Sequence, residues 1–341
     1  MYDGADGHVT DMISLTEKYR GCLLGAAVGD VAGAPVEAES PGYIARTYGS
    51  VDEILAAGAV AEFSGPEWQV GRFTDDTQMT LCVAEWLIAG EAALPERLLA
   101  RFADAYEPWR RYGPATEAIL RLYPRFPEKW RDLATASFPH GSYGNGSAMR
   151  VGPIGLVFHD DVERAAGVAT ESSRTTHSHP LAIQGAALQA VMVATAVTQG
   201  TFAAGKYLER ARERLARFAE LLWDTTPFDR ALNEIERGLA AGAPRAAMAD
   251  VLGTDVTAHG SVPFALYCFM RHPDSYADVI RAAVFAGGDT DTIACMAGAI
   301  SGAFLGREAI PQEWVEAIRE ERYSASEIER VADRLRGTGS R

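Results

Sequence analysis

Apolar residues recur along most of the chain with the three- to four-residue spacing of one helix face. The spacing is clear after Asp76, after Asp291 and within residues 205–223. It predicts amphipathic helices whose apolar stripes pack against other helices. Strand-like alternation is scarce, so we predict an all-α fold. The three stripes consist of Met79, Cys82, Val83, Trp86 and Leu87; of Ile293, Met296, Ala297, Ile300 and Phe304; and of Leu208, Ala211, Leu215, Phe218 and Leu222.

The chain reads as one compact domain. No long Pro- or Ser-rich linker divides it, and no repeat of a fixed period is present. We place the domain at residues 16–334, after a polar extension (residues 1–15) that we expect to be disordered and before a flexible tail (residues 335–341). The Pro-punctuated stretch 108–127 is typical of turns between helices.

Residues 181–200 carry no charged side chain and could be mistaken for a membrane span. Gln184, Gln189 and Gln199 interrupt the segment, and Ala and Gly outnumber Leu and Ile in it. We predict a buried helix whose small residues allow close packing, and no membrane association.

Glycine recurs every four residues in two helical segments. The first series flanks Asp30 and leads to Glu37, and the second follows Asp291. Glycine at one helix face indicates close backbone contact with another helix, despite its cost to helix stability. Either both helices lie at the centre of the fold and present an acidic site at its rim, or the series reflect tight packing alone. The residues are Gly21, Gly25, Gly29 and Gly33, and Gly298, Gly302 and Gly306.

Charge and residue usage narrow the possible functions. The 341-residue chain has a net charge of −14 and a pI near 5.0, which argues against a broad nucleic-acid or anionic-membrane surface. Lysine occurs only at Lys18, Lys129 and Lys206, outside any motif. Schiff-base and P-loop chemistry both need a placed lysine and are therefore disfavoured.

The cysteines and the N-terminus favour a reducing compartment. Cys22, Cys82, Cys268 and Cys295 form no C-x-x-C pair and lie in apolar helical segments, so we expect reduced core residues. The start of the chain has neither a basic region nor an apolar segment of the signal-peptide type. We therefore expect a cytoplasmic protein.

Two acidic clusters, more than 200 residues apart, each begin an apolar helical segment. Asp and Thr are common helix N-caps, which is one explanation for each cluster. Capping needs one side chain, however, whereas each cluster supplies two carboxylates and a hydroxyl. Such oxygen ligands suit Mg²⁺, so we favour a split site for two cations. The cluster residues are Thr74, Asp75 and Asp76, and Asp289, Asp291 and Thr292.

The segment 141–155, GSYGNGSAMRVGPIG, has the composition of a ligand-binding loop. Gly141, Gly144 and Gly146 permit positive φ angles and let backbone amides approach an anion. Short polar side chains at Ser142, Asn145 and Ser147 add hydrogen-bonding groups. A plain glycine turn would have the same composition.

Two further positions could take part in chemistry. His177 and His179 precede an apolar helix that Pro180 can begin. With no Cys or second His pair in support, zinc is disfavoured and His177 is better explained as a ligand hydrogen-bonding group. Glu37 could be a general acid or base if it faces the cations, or an exposed loop residue.

These segments, in this order, resemble the ADP-ribosylglycohydrolase family, which includes the dinitrogenase-reductase-activating glycohydrolases. The resemblance covers roughly residues 17–308. The matching segments are YRGCLLGAAVGDVAGAPVE (19–37), FTDDTQMTLCVAE (73–85), SYGNGSAMRVGPIG (142–155), THSHP (176–180) and HGSVPFALYCF…FAGGDTDTIACMAGAISGAFLG (259–306). THSHP and GNGSAMR look most like a bacterial branch.

The resemblance implies an all-helical fold with a binuclear Mg²⁺ centre, in which Mn²⁺ is an alternative. The six cluster residues match the family's metal ligands. Ser142, Tyr143, Gly144 and Asn145, together with His177, match its ADP-ribose contacts. Glu37 matches the catalytic glutamate of the branch that cleaves O-linked ADP-ribose, and the match to the arginine-specific branch is less clear.

The expected reaction is therefore Mg²⁺-dependent hydrolysis of the bond that links ADP-ribose to an acceptor, in an ADP-ribosylated protein or a small ADP-ribosyl ester. Glu37 would transfer the proton, and an aspartate such as Asp76 could share that role. Two alternatives are open: a non-catalytic ADP-ribose-binding or structural protein, and a two-metal phosphohydrolase that releases AMP.

Overall fold

The computed structural model describes residues 13–57 and 69–338. In these residues the secondary structure is helical, and no strand occurs beyond one isolated bridge between Gly144 and Thr257. The predicted all-α class is confirmed. The helices are α1 (Leu15–Gly33), α2 (Pro41–Thr47), α3 (Val51–Ala56), α4 (Asp75–Ile88), α5 (Pro95–Ala105), α6 (Pro114–Leu122), α7 (Trp130–Ala136), α8 (Gly152–Val157), α9 (Val162–Arg174), α10 (Pro180–Thr198), α11 (Ala204–Glu220), α12 (Thr226–Ala241), α13 (Arg245–Leu252), α14 (Ala258–Arg271), α15 (Tyr276–Val284), α16 (Thr290–Leu305), α17 (Gln312–Glu316) and α18 (Ala325–Arg336).

Helices α1 and α16 pack along their whole lengths at the centre of the fold. Helix α1 is buried from Gly21 to Gly33 and α16 from Thr290 to Phe304, as expected of core helices. The two glycine series face each other, and a Cβ atom added at Gly25 would overlap the Gly298 carbonyl. At Gly29 the added atom would lie 2.5 Å from the Ala294 carbonyl carbon and 2.9 Å from Cys295 N. The prediction of close backbone contact is confirmed.

Helix α10 is the buried helix predicted for residues 181–200. It is long and apolar enough to cross a membrane, but 89% of its apolar window is buried against the rest of the protein. At its C-terminal end, Lys18 Nζ donates to the carbonyls of Val197 (2.7 Å), Gln199 (3.1 Å) and Ala196 (3.3 Å). The buried ammonium group of α1 thus caps α10 and ties it to the central helix pair.

The structure corrects two predictions for irregular segments. Residues 108–127 contain helix α6, which begins at Pro114, a residue well suited to the first turn of a helix. The apolar stripe of residues 205–223 ends earlier than predicted, because α11 ends at Glu220. Leu222 follows it with a φ of +62° and is 94% exposed.

The domain limits can be compared with the described residues only in part. Helix α1 begins at Leu15, with the Ser14 side chain accepting from Glu17 N, and α18 continues to Arg336. Leu335 is fully buried, so the first residues of the predicted tail belong to the packed fold. Residues 1–12 and 339–341 lie outside the described residues. All four cysteines are free and buried.

Candidate active site

The two predicted acidic clusters meet in space, at the N-terminal ends of α4 and α16. Thr74 is the N-cap of α4, and Asp75 and Asp76 form its first turn. Asp289 is the N-cap of α16, and Asp291 lies in its first turn. Helix starts favour acidic side chains, because the first backbone N–H groups carry positive partial charge. The local sequence therefore places both clusters at helix ends.

A direct hydrogen bond joins the clusters. Thr292 Oγ1, from α16, donates to Asp76 Oδ2, from α4, over 3.4 Å. Thr74 Oγ1 lies 3.1 Å from the same Asp76 oxygen. Six positions from two distant parts of the sequence therefore form one site.

Asp30 is a fully buried member of the site that was not among the predicted site residues. Its carboxylate accepts from Thr74 N (3.0 Å) and Thr77 N (3.0 Å), and from the hydroxyls of Thr74 (3.0 Å) and Thr77 (2.6 Å). These bonds attach the first turn of α4 to α1. The only signal in the sequence was an acidic residue inside an otherwise small and apolar helix.

Glu37 is held next to Asp289 by backbone pairing. Ala38, which follows it, has a left-handed φ of +64° and donates from its N–H to the Gly288 carbonyl over 2.8 Å. Gly288 N donates in turn to the Glu39 carbonyl over 3.1 Å. Glu37, Asp289 and Asp291 each offer a carboxylate oxygen within 4.8 Å of the other two.

Arg111 is a second site residue absent from the predicted set. Its Nη1 donates to Glu37 Oε2 (2.9 Å) and to the Ala34 carbonyl (2.7 Å). Arg111 itself has a left-handed φ of +62°, a conformation that costs a non-glycine residue about 1 kcal/mol. It lies in a turn rich in Pro, Trp and Arg, where no pattern in the sequence distinguishes it from its neighbours.

The site concentrates negative charge in a buried place. Burial raises the pKa of Asp75, Asp76 and Asp291 well above the usual aspartate range. Neighbouring carboxylates raise these pKa values further, above all Asp30 for Asp75 and Asp76, and Glu37 for Asp291. Burial and then Asp289 raise the pKa of Glu37, against the opposing effect of Arg111.

These residues fit hard divalent cations. Asp76 Oδ1 is buried and has no hydrogen-bond partner among the described residues, although an ionised carboxylate oxygen is costly to leave unpaired. The neighbouring donor atoms are all carboxylate or hydroxyl oxygens, which Mg²⁺ and Mn²⁺ prefer to the nitrogen and sulfur ligands of zinc. A cation would satisfy the free oxygen and offset the repulsion between the carboxylates.

The glycine loop forms a wall of the cleft beside the acidic residues. Asn145 N donates to the Val256 carbonyl (2.9 Å), and Ala258 N to the Tyr143 carbonyl (3.0 Å). These two bonds fix the loop against the start of α14. Asn145 also donates from Nδ2 to Asp289 Oδ2 over 2.5 Å, which links the loop to the acidic cluster.

His177 lies beneath this loop. A Cβ atom at Gly146 would lie 2.8 Å from its Cε1, so only glycine lets the loop pass over the imidazole ring. Burial, followed by the nearby Arg150 guanidinium, lowers the pKa of His177 to about 3. The ring is therefore neutral at physiological pH. His179 caps α10 by accepting from Leu181 N through Nδ1 (3.1 Å).

The acidic cluster, the glycine loop and the start of α6 enclose a cleft of about 280 Å³. Three predicted site residues do not line it. Thr74 is buried behind Asp76, and Ser147 is buried below the loop, where it accepts from Ser173 Oγ over 2.8 Å. Tyr143 is half exposed, with its ring edge-on to His179. The lining residues are Glu37, Asp75, Asp76, Arg111, Gly113, Pro114, Ala115, Thr116, Phe138, Ser142, Gly144, Asn145, Gly146, Met149, His177, Val256, Asp289, Asp291 and Thr292.

Known proteins resemble this chain over nearly its whole length. The family model for ADP-ribosylglycohydrolase matches residues 11–341. The chain belongs to the ADP-ribosylglycohydrolase family. The chain is 33% identical to ADP-ribosylhydrolase ARH3 of Gallus gallus, over 91% of this chain and 92% of that protein. ADP-ribosylhydrolase ARH3 of Homo sapiens is 30% identical over 91% of each chain.

A solved structure extends the likeness to the fold. The ADP-ribosylglycohydrolase-related protein complex superposes with a TM-score of 0.64 at 25% identity, over 95% of this chain and 99% of the other. Membership of the ADP-ribosylglycohydrolase family confirms the resemblance seen in the sequence. It also confirms the prediction of an enzyme that hydrolyses glycosyl bonds of ADP-ribose.

Proposed function

We propose that this family member is a divalent-cation-dependent hydrolase that releases ADP-ribose from an acceptor bonded to C1 of the distal ribose. O-linked acceptors, such as a serine side chain or the ester of O-acetyl-ADP-ribose, are favoured over arginine. The observation that carries the proposal is the meeting of Glu37, Asp289 and Asp291 within 4.8 Å of one another, at the base of a cleft walled by a glycine loop.

Asp75, Asp76, Asp289 and Asp291 would hold two Mg²⁺ ions, with Thr74 and Thr292 completing the set. At such a site divalent cations supply Lewis-acid stabilisation of oxygen ligands and lower the pKa of bound water. Asp30 keeps Thr74 and the first turn of α4 in place, since it accepts four hydrogen bonds from that turn.

Glu37 is placed to exchange a proton with the leaving group or with the attacking water. Desolvation raises its pKa, which makes the carboxylate a stronger proton acceptor. Arg111 and the Ala38 backbone bond fix its orientation. Such positioning matters because proton transfer requires contact at hydrogen-bonding distance.

Two features of the cleft lining suit the diphosphate of ADP-ribose. The glycine loop brings backbone close to the cleft at Gly144 and Gly146. The first turn of α6, from Pro114 to Thr116, also lines the cleft, and its N-cap, Gly113, has no capping side chain. Free N–H groups at a helix start bind phosphate oxygens well. An acidic protein would thereby bind an anionic ligand locally.

Product analysis tests the proposal directly. The protein is incubated with an ADP-ribosyl-serine peptide, ADP-ribosyl-arginine or O-acetyl-ADP-ribose, each with Mg²⁺ or with EDTA, and the products are separated by chromatography. We expect Mg²⁺-dependent release of free ADP-ribose from an O-linked substrate. Release of AMP would indicate a phosphohydrolase instead, and binding of ADP-ribose without turnover would indicate a binding protein.

Comparing kcat of two variants of the acidic cluster with that of a control variant tests whether the activity depends on this site. Asp76→Asn and Asp291→Asn each remove a carboxylate charge with little change of shape, and should lower kcat by at least about a hundredfold if the cations depend on them. Asp274→Asn makes the same chemical change at an exposed position outside the cleft and should leave kcat unchanged. Full activity of either cluster variant would exclude the cation mechanism.

A further inference from the structure

Arg150 is a fully buried cation beneath the cleft, where it lines no part of the cavity. Its Nη1 donates to the Gly146 carbonyl (3.2 Å) and to Thr176 Oγ1 (2.9 Å), and its Nη2 to the Ser172 carbonyl (2.8 Å). It therefore connects the glycine loop to the end of α9. Burying a guanidinium group is costly unless such bonds compensate it, so a defined role is expected.

Thr176 connects Arg150 to His177. Its hydroxyl oxygen lies 2.7 Å from His177 Nδ1, in addition to the contact with Arg150. The Arg150–Thr176–His177 chain is buried throughout. A hydroxyl group has one hydrogen to donate, so the direction of each bond in this chain can be worked out from the count of hydrogens.

An arginine only donates, so one lone pair of Thr176 Oγ1 accepts from Arg150. If His177 Nδ1 carried the hydrogen, it would donate to the second lone pair, and the Thr176 hydrogen would need another acceptor. Within the described residues Thr176 Oγ1 has no hydrogen-bond partner besides Arg150 and His177. Only donation from Thr176 to Nδ1 pairs the Thr176 hydrogen as well as the Arg150 contact.

The other ring nitrogen faces the ligand cleft. His177 Nε2 lies against the backbone of Gly144 and Gly146, where added Cβ atoms would come within 3.5 and 3.0 Å of it. It makes no hydrogen bond among the described residues, and His177 lines the cleft. With Nδ1 accepting from Thr176, the hydrogen of a neutral imidazole must be on Nε2.

We infer that Arg150 and Thr176 are positioning residues that fix His177 as the Nε2–H tautomer, so that a neutral N–H group donates to an oxygen of the bound ligand, such as a phosphate oxygen. The part concerning the ligand rests on the proposed function, whereas the tautomer can be measured without ligand. Leaving a buried hydroxyl without an acceptor favours the Nε2–H form by about tenfold or more.

Long-range ¹H–¹⁵N correlation spectra of protein with labelled histidine report the tautomer of each ring. His177 is assigned by its absence from the spectrum of a His177→Gln variant, among seven histidines. We expect the wild-type ring to be Nε2–H by at least about ten to one. A wild-type ring protonated on Nδ1 would overturn the inference.

The chain offers a closely matched pair of variants. Thr176→Val removes the hydroxyl that touches His177, and should reduce the excess of the Nε2–H tautomer of that ring. Thr175→Val makes the same change one residue earlier. Thr175 Oγ1 also accepts from Arg150 (3.2 Å) but has no hydrogen bond to His177, so the tautomer ratio should stay as in the wild type. Thr176→Ser should restore the wild-type ratio.

Binding of ADP-ribose, measured by titration calorimetry, supplies the functional readout. If half of the Thr176→Val molecules have the wrong tautomer, the affinity for ADP-ribose falls by about twofold from that population alone. The affinity falls further because the ring is no longer held in one orientation. Thr175→Val and Thr176→Ser should bind like the wild type.

Two further outcomes would count against the inference. An unchanged tautomer ratio in Thr176→Val would overturn the role of Thr176, and unchanged affinity with a changed ratio would overturn the role in binding. If His177 of the wild-type protein is the Nε2–H tautomer but the protein binds no ADP-ribose, the proposed function is refuted instead. The two failures are therefore distinguishable.

Discussion

The contact between α1 and α16 offers a test of how the core supports the active site. Gly29 of α1 lies against Ala294 of α16, and the next residue, Asp30, holds the first turn of α4. Asp291 lies one turn before Ala294. Gly29→Ala would therefore separate the helices between Asp30, which holds the first turn of α4, and Asp291.

The size of the effect follows from the geometry. The added Cβ would lie 2.5 Å from the Ala294 carbonyl carbon, whereas ordinary contact begins near 3.4 Å. The backbones must therefore move apart by about 1 Å, since neither can turn away as a side chain does. Overpacking of this kind costs about 3 kcal/mol, and the better helix propensity of alanine offsets about 1 kcal/mol of that. We expect a net loss of about 2 kcal/mol.

Two control variants separate the causes. Gly21→Ala produces a similar clash, with an added Cβ 2.7 Å from the Gly306 carbonyl carbon, but lies roughly 12 Å further along α1 from Gly29. Gly167→Ala places the new methyl group in open space within α9, and should stabilise the protein by up to about 1 kcal/mol. Urea denaturation measures the free energy of unfolding of each variant.

Titration with Mn²⁺ gives the second measurement. Displacing ligands by about 1 Å should weaken cation binding by at least tenfold in Gly29→Ala, whereas Gly21→Ala should lose stability but keep wild-type affinity. Equal Mn²⁺ affinity in the wild type and Gly29→Ala would refute the reasoning. So would an equal loss of affinity in both variants, because distance from the site would then have no effect.

Three further predictions concern single residues. Arg111→Gln should lower kcat by about tenfold, because Glu37 loses the cation that orients it; Arg111→Lys should keep more activity, and equal steady-state rates would contradict the role. Ala38→Gly removes left-handed strain and should raise the free energy of unfolding by about 1 kcal/mol in urea, while kcat falls as Glu37 becomes less fixed. The pKa of His177 is about 3 in the folded protein but about 6.5 in an unfolded chain. The unfolded chain therefore binds the extra proton, and stability falls as pH drops below about 6.5 and levels off near 3. Between pH 7 and pH 5 the wild type should lose about 2 kcal/mol more than His177→Gln; an equal loss would show that His177 does not contribute.

The parts of the site that could be predicted from sequence are those with a local signal. Asp75 and Asp289 lie at helix starts that capping rules identify. The glycine loop can be recognised from its composition. Glycine at every fourth position also predicted close backbone contact for α1 and α16, but not that these two helices contact each other. Two observations predicted that the acidic clusters share one site. One is the family resemblance, and the other is that each cluster has more carboxylates than a helix cap needs.

The residues that were missed depend on tertiary structure. Asp30 lies inside a largely apolar helix. Its carboxylate has hydrogen-bond partners only because the fold packs Thr74 and Thr77 against it. Arg111 reaches Glu37 from a turn about 70 residues later, at a left-handed position that no helical or strand pattern marks. Ser147 matched the composition of a ligand loop, but the turn directs it into the core, and residue type alone does not show this.

The central helix pair also has a consequence for biosynthesis. Helix α1 leaves the ribosome before its partner α16, which follows roughly 250 residues later. This interval is on the order of 10 to 50 seconds at usual rates of synthesis. Through that interval the small-residue face of α1 has no native partner. The nascent chain must therefore stay soluble with its central helix uncovered, and the carboxylates of α16 reach those of α4 only after this interval.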